Sequence, residues 1–173
     1  MTNLYLPLSI ALGIATWGLV ARWYVYPWMA TRSMQDALTP LLLINVLRYI
    51  GLAFLIPGVT SEVLDARFST PAAWGDLIAA ILALLALIAV RRNSASAITW
   101  VWVFNIFGFA DLLNAVAQGL RYTIDGHLGA TYFIPALFVP LLLVTHVVIA
   151  TWSLRYAKRR TALPTGSGAL RQD

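Results

Sequence analysis

Five apolar stretches dominate this chain, at Leu4–Trp28, Ala37–Val59, Pro71–Val90, Ser96–Leu120 and Tyr132–Arg155. Each is long enough to cross a hydrocarbon core about 30 Å thick, which takes about 20 helical residues. Hydrophobic residues make up 60% of the 173 and charged residues 11%, against about 25% charged in ordinary soluble domains. A soluble globule of this length cannot bury so much apolar surface. The composition therefore predicts an all-α integral membrane protein, a bundle of five transmembrane helices with the lipid bilayer as its first partner. It excludes a soluble enzyme and, with no cysteine, a disulfide scaffold or a thiolate-ligated metal.

Run length decides for helices over barrel strands, which would break after about ten residues and alternate with period two. Pro71 can begin a helix, whereas Pro135 and Pro140 fall inside the fifth span and should bend its first half. The first span ends in the aromatic and basic stretch Arg22–Trp28, not in a small-residue cleavage site, so it reads as a span and not as a signal peptide. Residues 1–156 form one transmembrane domain, and 157–173 read as a basic, then flexible, cytoplasmic tail.

Lysine and arginine placement sets the expected orientation. The connectors that share a side with the N-terminus hold only Arg67 and Arg121. The other side holds Arg22, Arg32, Arg91, Arg92, Arg155, Lys158, Arg159, Arg160 and Arg171. That asymmetry predicts an N-terminus outside and a C-terminus in the cytoplasm, in the inner (plasma) membrane of a bacterium. The basic residues meet lipid head groups there, so the net charge of +5 does not point to nucleic acid. Trp23, Trp28, Trp100, Trp102 and Trp152 lie towards the same ends, as an interfacial belt requires.

Chemistry must then come from polar residues at membrane depth. Arg48 lies near the centre of the second span, with Asn45 one turn away on the same face. In the fourth span Asn105 and Asp111 lie about 4–5 Å to either side of the centre, and His146 in the fifth lies about as far on the cytoplasmic side. Asp76 is placed nearer the outer surface of the third span. Left unpaired, Arg48, Asp76 and Asp111 would cost on the order of 9 kcal/mol, comparable with the roughly 5–15 kcal/mol that stabilises a whole domain. They must face inward and pair, and Arg48 with Asp111 is the preferred pair. Asn105 points more than about 100° away from the Asp111 stripe at 3.6 residues per turn, which suggests another helix contact or a homodimer interface.

Three functions remain open. Arg48, Asp111 and His146, supported by Asn45, Asn105 and Asp76, could bind or pass a small ligand or protons. His146 could instead ligate a b-type haem, at a dimer axis or with Arg48 on a propionate. The same groups could be purely structural, an ion pair with amide hydrogen bonds. No nucleophile–base spacing or zinc-ligand set supports an enzyme.

Three blocks carry a resemblance. They are Gly75-Asp76-Leu77 at the third span, Asn105-Ile-Phe-Gly108-Phe-Ala-Asp111-Leu112 in the fourth, and Pro135 through Phe138-Val139-Pro140 to His146 in the fifth. Over residues 48–150 this pattern resembles an uncharacterised family of small bacterial polytopic membrane proteins. The resemblance implies an architecture and carries no reaction.

Overall fold

The apolar stretches form helices throughout: among the described residues the only β feature is an isolated bridge between Pro57 and Thr60. The structure is a computed structural model and describes residues 4–61 and 64–162. Five helices are long and apolar enough to cross a membrane. They are α1 (Tyr5–Ala30), α2 (Met34–Leu55), α3 (Ala66–Arg91), α4 (Ala97–Arg121) and α5 (Gly129–Lys158). Helical backbone continues past α5 to Ala162; the rest of the tail expected at 157–173 lies outside the described residues.

Side-chain caps fix the starts of α2 and α3. Ser33 Oγ accepts the Asp36 N–H at 3.2 Å at the start of α2, and Asp65 accepts the Arg67 N–H at 2.8 Å at the start of α3. These are the orphan donors that every helix start must satisfy. Gln35 Nε2 donates to the Val90 and Arg91 carbonyls at 3.2 and 3.1 Å, satisfying the last turn of α3 and tying it to the first turn of α2. Because α3 starts at Ala66 and not at Pro71, Asp76 sits almost three turns inside the helix.

Helix α3 is central, packed on α2 along one side and α4 along the other, while α1 packs chiefly on α5. Small residues allow the close approach: Ala72, Ala73, Gly75, Ala79, Ala80, Ala83, Ala86 and Ala89 are all buried on α3. Large apolar side chains such as Leu8, Trp23, Ile81, Ile106 and Val147 are exposed around the outside, as a bilayer would require.

Three local departures from α-geometry matter. Helix α2 changes from α to 3₁₀ at Leu47 and stays so to Leu55, an unusually long run, since stretches beyond 3–4 residues are uncommon. With about three residues per turn, Arg48, Gly51 and Phe54 fall in one row, and all three are buried. Residues Ala21–Val25 of α1 and Ile134–Phe138 of α5 are π-helical. The second of these is where Pro135 interrupts the fifth span.

Three apolar clusters fill the bundle, the smallest made by Leu112, Val139 and Leu142; the two larger ones lie towards its ends. One, towards the end carrying the connectors at 31–33 and 92–96, includes Leu38, Leu42, Ala83, Val90, Val101, Phe104 and Ile149. The other, towards the N-terminal end, includes Leu6, Phe54, Phe68, Ala73, Ile124 and Leu128. Arg48, Asp76 and Asp111 lie between the two.

Candidate functional site

Arg48 is 1% exposed, so its five N–H donors must be satisfied inside the bundle. They are. Nε donates to Asp76 Oδ1 at 2.9 Å, and Nη2 lies 2.8 Å from the same oxygen and 2.6 Å from Asp111 Oδ2. Nη1 donates to the Gly108 carbonyl at 2.9 Å and faces His146 Nε2 at 3.4 Å. One guanidinium thereby joins α2 to α3, α4 and α5. Charge-assisted contacts of this length are the strong class of hydrogen bond.

Because arginine can only donate, His146 Nε2 is the acceptor, and the imidazole proton belongs on Nδ1. Nδ1 then donates to Asn105 Oδ1 at 2.9 Å. The ring stacks on Phe104 with centroids 5.0 Å apart and is 1% exposed. A chain of contacts thus runs from the two carboxylates through Arg48 and His146 to Asn105. Asn45 stands beside this chain and not in it: Nδ2 donates to the Leu41 carbonyl at 2.8 Å and to Thr145 Oγ1 at 3.0 Å. Its Oδ1 is buried without a partner.

Three glycines make room for the charges. A Cβ on Gly51 would run into the Asp76 carboxyl group, and one on Gly75 into that of Asp111. On Gly108 it would lie 2.7 Å from His146 Cε1 and 2.9 Å from Arg48 Nη1. Each glycine belongs to a different helix, so the backbones of α2, α3 and α4 close directly around the polar groups. Thr145 and these glycines were not among the candidates read from the sequence. A glycine inside a span is a usable signal, because it costs about 1 kcal/mol against alanine in a helix and needs a packing reason.

Five of the six candidates, Arg48, Asp76, Asp111, His146 and Asn105, meet in one network. Two details differ from the sequence reading. Asp76 pairs with Arg48 as closely as Asp111 does, because the early start of α3 carries it deeper than expected. Asn105 turns into its own bundle: Gly108 lies between it and Asp111 on the helix surface and lets His146 reach both sides, which removes the reason for assigning Asn105 to a dimer contact. Asn114 and Gln118 meet each other at 3.4 Å towards the exposed side of α4 and take no part.

A cavity of about 70 Å³ reaches Asp76 from the N-terminal end, with Leu6, Phe54, Phe68, Leu112, Ile124 and Pro135 among its walls. The family described as "Domain of unknown function (DUF8737)" matches residues 5–154. The chain belongs to this family. No curated protein and no solved structure matches it. The matched region of this DUF8737 member covers α1–α4, most of α5 and every residue of the polar network, so the site lies within the family's domain.

Both carboxylates depend on one cation. Arg48→Gln strands two partly buried carboxylates and should cost up to roughly 3–5 kcal/mol, the usual range when a buried pair loses one partner. Asp111→Asn leaves Arg48 paired with Asp76 and should cost clearly less. The triple variant Arg48→Gln/Asp76→Asn/Asp111→Asn should recover much of the single-variant loss. Reversible unfolding in mixed micelles measures all three, and strictly additive losses would contradict the shared pairing.

The glycines give a second test. Gly75→Ala and Gly108→Ala should each cost about 1–3 kcal/mol, as overpacking does. Gly18, with nothing within 4 Å of its Cβ position, should accept alanine with little change. Thermal midpoints in detergent compare the three, and equal midpoints would show that the site tolerates a methyl group at its centre.

Proposed function

We propose that this chain is an inner-membrane protein whose midplane site binds a proton and passes it between Asp76, Asp111 and the N-terminal cavity. The observation that carries this reading is the charge balance. One guanidinium faces two carboxylates, so the cluster is one positive charge short when both are ionised. A surplus charge at membrane depth costs roughly 2.5–3.5 kcal/mol on insertion scales. A single bound proton removes it without any rearrangement of Arg48.

The cavity favours a proton over a larger ligand. Its 70 Å³ falls far below the roughly 300–1,000 Å³ of sites for drug-sized molecules. It exceeds the roughly 10–15 Å³ needed for one water. Its walls are almost wholly apolar except at Asp76, so water would fill it transiently, a gate of the dewetting kind. His146, across Arg48 from the carboxylates, is the next titratable group towards the opposite face. The haem reading gains no support from this geometry, because both ring nitrogens of His146 already face protein partners.

The lysine and arginine asymmetry supports an N-terminus outside, which would open the cavity to the periplasmic side of a bacterial membrane. Purified protein in liposomes holding an internal pH dye, driven by a potassium diffusion potential, should acidify faster than protein-free liposomes. Asp76→Asn and Asp111→Asn should each abolish the excess rate. Flux equal to that of protein-free vesicles would contradict the reading and leave the network a structural clamp on four helices.

A further inference from the structure

At the opposite end of the bundle from the cavity, the segment linking α1 to α2 meets the last turn of α3. Trp28, Arg32, Asp36, Thr39, Pro40 and Arg91 line one crevice there, of about 280 Å³ and open to the surface. The Arg32 guanidinium sits over the Trp28 ring, 5.6 Å from its centroid. Neither Arg32 nor Arg91 has a described carboxylate within ion-pair distance.

The crevice also holds unmatched polar atoms. Thr39 Oγ is buried and has no hydrogen-bond partner, although a helical threonine ordinarily bonds back to a carbonyl one turn earlier. Pro40 has no N–H, so the Asp36 carbonyl, four residues back, lacks its usual helical donor. The Asp36 carboxylate accepts from Ser33 Oγ at 2.8 Å, which leaves it further acceptor capacity. Arg32, Arg91 and Asp36 thus line one open crevice, with the Thr39 hydroxyl closed off in its wall and a tryptophan at the end of a membrane-spanning helix beside it.

We infer that this crevice is a binding site for the headgroup of a zwitterionic phospholipid carrying a primary ammonium, of the phosphatidylethanolamine kind. Arg32 and Arg91 take the phosphodiester, for which guanidinium groups are suited. Asp36, exposed at the start of α2, accepts from the ammonium. Asp36 is the discriminating residue: it opposes a headgroup with net negative charge, and it finds no N–H donor on a choline headgroup. The site rests on the chain spanning a membrane and is independent of the Arg48 network.

Native mass spectrometry of protein extracted in mild detergent tests it, with phosphatidylethanolamine and phosphatidylcholine of matched chains added in competition. The wild type should retain the ethanolamine lipid at least several-fold over the choline lipid. Arg32→Gln/Arg91→Gln should lose retention of both, and Asp36→Asn should lose only the preference. Ser33→Ala, which disturbs the same helix start but keeps the carboxylate, should retain the preference and so reports on folding. Equal retention by the wild type and the double arginine variant would overturn the site. Equal protection by tail-free O-phosphorylethanolamine in a thermal-shift series would overturn the lipid as its source.

Discussion

The bundle depends on a single cation placed where bare charges are least tolerated. Arg48 touches Asp76, Asp111, the Gly108 carbonyl and His146, so the four helices that carry these groups share one electrostatic centre. Apolar attraction between helices is weak in lipid, because the tails are as apolar as the side chains. A shared ion-pair centre gives the helices a register that leucine-on-lipid contacts cannot. Apolar clusters flank it on either side.

Backbone geometry makes the arrangement possible. The 3₁₀ run of α2 lines up Arg48 with Gly51, so the arginine and the space for its partner lie in one row. Gly75 precedes Asp76, and Gly108 precedes Asp111 by three residues; each gives its helix a bare patch on which another helix's polar group rests. Such patches carry a conformational cost and no hydrophobic return. Their presence around the charges fits a site whose geometry matters more than its stability.

Much of this was legible in the amino-acid order. Run length and apolar content gave five helices, and the cost of unpaired charge required Arg48 and the aspartates to meet. Pro71 read as a helix start puts Asp76 too near the surface. The Asp65 cap, a local hydrogen bond, sets the true start at Ala66, about a turn and a half earlier. Asn105 was separated from Asp111 by an angle on a helical wheel, and a wheel does not show that Gly108 between them lets His146 and Arg48 sink into the helix surface. The 3₁₀ change at Leu47 has no proline or glycine at its start, and nothing in the local sequence announces it.

The proposed proton rests on one guanidinium serving two carboxylates. Infrared spectroscopy of lipid-reconstituted protein labelled with carbon-13 at the aspartate side-chain carbonyl tests that charge balance most directly. The account predicts a carbonyl stretch from one protonated carboxyl group at neutral pH, shifted on deuterium exchange and lost in Asp76→Asn or in Asp111→Asn. A spectrum showing only ionised carboxylates would contradict it.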